Sequence, residues 1–496
     1  MIYHSTRDNA VNVKAAHAIA RGISPEGGLY LPRSLPRIDA ERISALSKMD
    51  YRGRALDILN EFLDDFDQAA LARSISSAYG GNFASEKVTP IVQLSPGAYM
   101  LELWHGPTCA FKDLALQLLP HLVTQAAQKE AGGKTVNILV ATSGDTGKAA
   151  LEGFRDIPGT NILVFYPKDG VSRVQELQMT TQQGGNVSVC GVRGNFDDTQ
   201  SALKKIFTSP GIKARLEAKN AVFSSANSIN WGRLAPQIVY YVNAYCELLN
   251  SGELAAGERF NIAVPTGNFG NILAAYYSKK MGLPVGRLIC ASNRNNVLTD
   301  FINTGIYDRR REFFTTSSPS MDILVSSNLE RLLHSLTGED SAAVTSLMSA
   351  LAREGVYAVP AQALSALKSD FYGGFCNEAE TTATIKDTFQ SLGYLCDPHT
   401  AVAVKVHREY ADKTGDTAKT LIASTASPFK FAGSVLAAIT GQLGGGGEFA
   451  QLAKLAAITG ISLPPQIAEL ENLPVRFGHT CEKDELERVV LETLGL

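Results

Sequence analysis

A lysine stands in an otherwise apolar run of small residues, His105-Gly-Pro-Thr-Cys-Ala-Phe-Lys-Asp-Leu114, behind a Gly-Pro turn. Taking a lysine partly out of water disfavours its ammonium form and lowers its pKa. An amine tuned in this way attacks carbonyls and can hold an aldehyde cofactor as a Schiff base. The same composition suits a lysine at a helix start, its stem on apolar surface and its head in water. What separates the two is whether the rest of the chain supplies the other parts such a site needs. Cys109, in the same run, reads as a small buried hydrophobe rather than a nucleophile.

Further candidate groups sit in loops that follow apolar runs. Ala141-Thr-Ser-Gly-Asp-Thr-Gly-Lys148 comes directly after the run at 136–140. It is not a Walker A loop, because Thr142 stands where the first glycine belongs and Ala149 replaces the required Ser or Thr. It offers hydroxyls and amides at a helix N-terminus, suited to a carboxylate or phosphate, and it equally fits an ordinary capped turn. Lys148, in the first turn of that helix, reads as solvated. Pro265-Thr-Gly-Asn-Phe-Gly-Asn271 follows the run at 262–264. Its glycines let the backbone approach an anion, and a helix starting near Asn271 adds its dipole. A cofactor phosphate is the natural guest there, and a plain turn is the alternative. Between these loops, Ser225-Ala-Asn-Ser-Ile-Asn-Trp-Gly-Arg233 ends in an arginine whose planar fork pairs with phosphate or carboxylate. Asn, Ser and Gly are also ordinary loop material. Finally, Ala423-Ser-Thr-Ala-Ser-Pro-Phe-Lys430 places hydroxyls at a strand's carboxyl end, where open α/β sheets bind ligands. In conjunction these parts describe a pyridoxal-phosphate pocket.

The elements that must position them change period along the chain. Residues 1–88 read as a mostly helical cap, with amphipathic stretches at 11–21, 41–47 and 55–66 and a turn-rich loop at 24–32. Over 89–496, Val- and Ile-rich runs at 136–141, 162–166, 187–190, 262–264, 288–291 and 420–423 alternate with helical patterns. That alternation predicts an α/β region with a mainly parallel, buried sheet. The glycines at 441–447 read as a loop or helix terminator. The formal net charge of −3 over 496 residues leaves no basic field for nucleic acid. No run reaches the length of a membrane span, and the first residues lack the apolar core of a signal peptide. The 7 cysteines are scattered and never in C-x-x-C pairs, which predicts reduced thiols, a cytoplasmic setting and no zinc. The 8 histidines show no metal-ligand spacing.

With these motifs the chain resembles the threonine synthase family of pyridoxal-phosphate enzymes. The matching stretches are 105–113, 141–147, 225–233 and 266–271, together with Ser5-Thr-Arg7 and Glu26-Gly-Gly-Leu-Tyr-Leu-Pro32 near the start. The resemblance implies two mainly parallel-sheet lobes of the tryptophan synthase β-like fold, the active site between them, and a helical N-terminal cap. It implies pyridoxal 5′-phosphate held by Lys112 as a Schiff base. Gly267, Asn268, Phe269, Gly270 and Asn271 would cradle its phosphate, with Thr425 facing the ring nitrogen. Ser143, Gly144, Asp145 and Thr146 would receive the substrate carboxylate, and Ser228, Asn230 and Arg233 its phosphate. The implied reaction converts O-phospho-L-homoserine and water into L-threonine and phosphate, by a monomer or homodimer without metal. Two departures stand out. Asp145 occupies a place where the wider fold usually has Asn; the Asp resembles the longer-chain threonine synthases. The segment Thr425-Ala-Ser-Pro-Phe-Lys430 replaces a common Thr-Ala-His-Pro-Ala-Lys, which leaves Ser427 and Phe429 without an implied role. The rivals are a serine/threonine dehydratase or cysteine synthase, which need no second phosphate cup, and a non-catalytic binding module.

Overall fold

Runs of Val, Ile, Leu and Ala with no polar face must be covered on both sides, as in parallel sheets flanked by helices. The computed structural model describes residues 1–142, 144–194, 196–442 and 445–496, and two large sheets of this kind organise them. The first has the order Thr480–Glu482, Val187–Arg193, Thr160–Pro167, Thr135–Ala141, Ala221–Ser224, all pairings parallel. The second runs Phe371–Phe375, Val285–Ser292, Phe260–Pro265, Thr420–Ser424, Ala98–Glu102, Ile91–Ser95, and is parallel except for its last pair. Every apolar run named above lies in one of these strands. Phe371-Tyr-Gly-Gly-Phe375 does not read as a strand, because paired glycines look like a turn. Gly373 is needed there: a Cβ would lie 3.1 Å from both the Thr299 carbonyl oxygen and the Ile302 side chain.

The N-terminal region corrects one expectation. It carries the helices Ala15–Arg21, Ala40–Leu46, Tyr51–Phe62 and Gln68–Tyr79, but also an antiparallel sheet of Asp8–Val13, Tyr3–Ser5 and Tyr30–Pro32. Residues 11–13 therefore end a strand instead of opening a helix, since Val-Asn-Val alternates with period two and pairs back on Tyr3. The stretch 30–32 inside the turn-rich loop is extended because it pairs antiparallel with Tyr3–Ser5. This region packs on the helix Trp231–Asn250 around the buried Trp231, whose ring lies 5.6 Å from those of Tyr3 and Phe62. Buried Arg54 ties the two together through Asn243 Oδ1 at 2.6 Å and Glu247 Oε1 at 2.7 Å. Gly441 does end a helix, Ala432–Thr440, with a φ of 73° that favours glycine; Leu443 and Gly444 lie outside the described residues.

Among the described residues no helix is long and apolar enough to cross a membrane, and no group of His, Cys, Asp and Glu could hold a metal ion. The cysteines are free and buried.

Candidate active site

A cleft is lined by residues that follow strands of both sheets. Asp145 and Thr146 follow Thr135–Ala141, the loop 266–271 follows Phe260–Pro265, and Thr425 follows Thr420–Ser424. Ligands in open α/β folds bind at these carboxyl ends.

Lys112 reaches the cleft from the loop after Ala98–Glu102. Two features shape that loop. Asp113, fully buried, accepts from the Thr108 amide at 2.8 Å and the Thr108 hydroxyl at 2.7 Å, curling the Gly-Pro-Thr turn over it. Gly106 permits this, since a Cβ there would sit 2.5 Å from Asp113 Oδ2. The turn is also laced to the segment after the last central strand: Phe111 N donates to Thr425 O at 2.9 Å and Ser427 N to Cys109 O at 3.0 Å. Ser427, left without a role by the resemblance, thus holds the lysine loop. Cys109 is buried, and that burial pushes its thiol up to about 12, in keeping with a packing residue.

The Lys112 amine donates to Ser320 Oγ at 3.2 Å, lies 3.5 Å from Asp145 Oδ2, and sits 4.8 Å from the Phe111 ring centre. Burial lowers its pKa below the ordinary lysine value. Asp145 opposes that shift, while the positive charges of Lys430 and Arg233 add to it. Asp145 is itself held by a second lysine. Lys430, fully buried, lies 2.9 Å from Asp145 Oδ1 and donates to Thr108 O at 2.8 Å, while Gln175 Nε2 donates to the same carboxylate at 3.0 Å. Burial alone would raise the Asp145 pKa, but Lys430 and then Lys112 outweigh it and hold the carboxyl well below its usual range. Replacing Lys430 by Met removes the closer counter-charge of this buried carboxylate and leaves it Lys112 at 3.5 Å, and a loss of about 3 kcal/mol in urea-unfolding stability is expected at pH 7. The sign follows from the depressed pKa. The stabilisation is fully present above the unfolded-state pKa of about 3.9 and is lost only as pH falls towards the folded value. The difference between wild type and Lys430→Met should therefore hold from pH 7 down to about pH 4 and shrink below it.

The loop 266–271 ends at the N-terminus of the helix Gly270–Met281, where Phe269 takes a left-handed φ of 61°. A bulky residue in that region is strained and must be held by its surroundings; here the Phe269 ring is buried 5.7 Å from that of Phe371. Among the described residues, the amides of 267–271 have no hydrogen-bond acceptor. Asn271 takes a hydrogen bond from the Tyr241 hydroxyl on its Oδ1, and its buried Nδ2 has no partner. Free amides and a helix dipole make an anion seat. Gly267 sets its floor, because a Cβ there would lie 2.4 Å from the Ser320 carbonyl oxygen. Gly267→Ala must displace the loop, and on the order of a tenfold loss of affinity for a phosphate-bearing ligand is expected in a binding titration.

Arg233 is the second anion feature. It is 4% exposed, donates Nη1 to Ala226 O at 2.7 Å, and leaves Nε without a partner. No carboxylate pairs with it among the described residues, and burial lowers its pKa to about 10. A buried guanidinium without a counter-charge is costly unless a ligand supplies one.

Not every expected residue reaches the cleft. Lys112, Asp145, Thr146, Ser228, Arg233, 267–271 and Thr425 line it together. Asn230 does not: its Nδ2 donates to Ile19 O at 2.9 Å and Ser225 O at 3.0 Å, and its Oδ1 caps Gly232 N at 2.9 Å. It shapes the loop and closes the helix Trp231–Asn250. Gly144 spends its amide on Thr142 Oγ1 at 3.0 Å, and its φ of 130° serves the turn. Ser143 lies outside the described residues. Lys148 is not solvated but paired with Glu152 at 3.0 Å. Conversely, Ser320, His399 and Gln237 line the cleft, and Lys430 stands directly behind Asp145. No local signal marks Ser320, His399 and Gln237, while Lys430 is conspicuous only as a lysine in an apolar segment.

Family models place this geometry. One described as threonine synthase N terminus matches residues 2–79, one described as pyridoxal-phosphate dependent enzyme matches 84–425, and one described as threonine synthase, C-terminal, matches 400–490. A threonine synthase of Pseudomonas aeruginosa is 39% identical over 442 residues, covering 89% of this chain and 91% of that protein. The chain belongs to the threonine synthase family. The human protein named threonine synthase-like 1 is 41% identical over 434 residues, 86% of this chain; the match spans 58% of that relative's length. The crystal structure of a PLP-bound threonine synthase from Brucella melitensis superposes with a TM-score of 0.88 at 38% identity, covering 99% of each chain. The α/β architecture with parallel sheets and an N-terminal cap is that of the family, and pyridoxal 5′-phosphate is its cofactor. The chemistry of the cleft fits that group: an amine of lowered pKa, a seat of free amides and an unpartnered Asn271 donor.

Proposed function

We propose that this chain catalyses the conversion of O-phospho-L-homoserine and water into L-threonine and phosphate, a lyase reaction ending threonine biosynthesis. The observation that carries this reading is Arg233, a buried guanidinium with no carboxylate partner among the described residues, which lines the same cleft as Lys112 and makes no hydrogen bond to the loop 267–271. A cofactor phosphate accounts for one anion seat. A second one asks for a phosphorylated substrate, which a dehydratase or cysteine synthase does not use.

In this reading Lys112 would hold the cofactor's aldehyde, 267–271 would hold its phosphate, and Thr425 would serve its ring nitrogen. Bound pyridoxal phosphate supplies a conjugated ring that takes up the carbanion charge formed at the substrate's α-carbon. The free amine of Lys112 takes the proton from Cα and serves Cβ and Cγ in turn. Its lowered pKa raises the share of neutral amine available for that work. Arg233, with Ser228 beside it, binds the γ-phosphate and stabilises the charge that gathers there as the Cγ–O bond breaks. Water then bonds through its oxygen to Cβ, the departed phosphate assisting its deprotonation, and Cγ gains a proton to become the methyl group. Asp145 and Thr146 stand where the substrate carboxylate arrives. The charge of Asp145 is already neutralised by Lys430. We also place the boundary between cap and catalytic region near residue 88, and the enzyme, with its free thiols, in the cytoplasm.

Incubation of the loaded protein with O-phospho-L-homoserine tests the reading. Threonine and phosphate in equal amounts are expected. Deamination of serine without release of phosphate from the phosphorylated substrate would contradict it.

A further inference from the structure

The amine of Lys112 must be kept in place whenever it is not bonded to the cofactor, and the structure shows what receives it. Its shortest polar contact is Ser320 Oγ at 3.2 Å; the charged groups that face it are Asp145, Lys430 and Arg233. Ser320 lies in the short 3-10 turn Pro319–Met321, far from Lys112 in the chain, and lines the cleft. The turn is fixed from behind. Ser320 N donates to His399 Nε2 at 3.2 Å, and His399 Nδ1 lies 2.7 Å from Asp397 Oδ1. Asp397, fully buried, accepts on both oxygens, from the His399 amide at 2.9 Å and from the Thr400 hydroxyl. It must therefore accept from Nδ1 too, which puts the imidazole proton on Nδ1 and leaves Nε2 as the acceptor that Ser320 needs. The His399 ring is further held by the ring of Phe431 at 5.0 Å. The same turn presents the Ser320 carbonyl against Gly267, so one segment touches both the lysine and the anion loop.

We propose that Ser320 is a further catalytic residue, its hydroxyl holding the amine of Lys112 whenever that amine is free, and that Asp397 and His399 are positioning residues that keep Ser320 there. The inference rests on the reading of Lys112 as the lysine that bonds the cofactor. A hydroxyl that accepts from the amine also favours the ammonium over the neutral form, so its removal changes when Lys112 can react.

The test uses the full chain stripped of cofactor and then given pyridoxal phosphate. Borohydride reduction of the adduct, an imine formed from amine and aldehyde with loss of water, locates the modified lysine by peptide mass. In wild type the label is expected on Lys112. The rate of adduct formation, followed against pH, is expected to show its acid limb at lower pH in Ser320→Ala and at the wild-type position in Ser320→Thr. His399→Leu should reproduce the shift, and His399→Gln, which restores an acceptor for the Ser320 amide, should not. In the loaded enzyme Ser320→Ala should lower kcat by about tenfold with KM little changed. A label on Lys112 with an unshifted acid limb and unchanged kcat in Ser320→Ala overturns the inference alone, as does a lowered melting temperature without either change. A wild-type label on another lysine contradicts the reading beneath it.

Discussion

Lys112→Ala is expected to abolish turnover of O-phospho-L-homoserine, by roughly 10³-fold or more, while leaving the protein folded. Two functions are lost together: the amine that bonds the cofactor aldehyde and the base that works at the substrate carbons. The fold should survive, because the Lys112 side chain holds up little of its surroundings. Asp145 keeps its closer partner Lys430 at 2.9 Å, and the loop stays pinned by Asp113 on Thr108 and by its backbone bonds with Thr425 and Ser427. Removing a buried amine that carries a burial penalty is expected to leave urea stability within about 1 kcal/mol of wild type. The readouts are the visible absorbance of the lysine-bound cofactor, which should vanish, and the rate of phosphate release. Exogenous small amines should restore part of the rate, since the missing group is itself an amine. A variant that retains the absorbance band would mean that another lysine bonds the cofactor.

Arg233→Ala should separate substrate handling from cofactor handling. Removal of a charged donor aimed at the leaving group costs on the order of 3 kcal/mol of transition-state stabilisation, about a hundredfold in kcat/KM. The absorbance of the bound cofactor should be unchanged, because the loop 267–271 and Lys112 make no hydrogen bond to this side chain. Its removal also takes a positive charge away from Lys112, so the Lys112 pKa should rise towards the ordinary lysine value and the acid limb of the rate profile should move to higher pH. Arg233→Lys keeps the charge but not the planar fork, and should fall between the two. Stability should rise or hold, since an uncompensated buried guanidinium is removed.

What the chain revealed before its structure was known followed the range of the forces involved. The buried strands were legible because a parallel sheet covered on both faces demands an uninterrupted apolar run, as at 136–140 and 262–264. Lys112 was legible only in conjunction: alone, its run also suits a lysine at a helix start, and the anion loops and hydroxyl-bearing strand end elsewhere in the chain turned the reading. The paired glycines of Phe371–Phe375 hid a strand, since the requirement they meet, close approach of Thr299 and Ile302, comes from elsewhere in the chain. Asn230, given a ligand role by the resemblance, stands outside the cleft lining: its donors go to Ile19, 211 residues away, and to Ser225. Ser320 and His399 were invisible because a lone serine and a lone histidine carry no pattern, and Ser320 meets Lys112 across 208 residues. Lys430 stood in the segment that was singled out, yet only its burial against Asp145 gives it a task.

The central claim is that one cleft seats two phosphates, the cofactor's on the amides of 267–271 and the substrate's on Arg233. A crystal of the pyridoxal-phosphate-loaded protein soaked with a phosphonate analogue of O-phospho-L-homoserine tests it most directly. The account predicts the phosphonate within about 3 Å of the Arg233 guanidinium, including the now unpartnered Nε, with the cofactor phosphate on 267–271 and its aldehyde carbon released from Lys112. A phosphonate bound elsewhere, or a substrate carboxylate occupying Arg233, would contradict it.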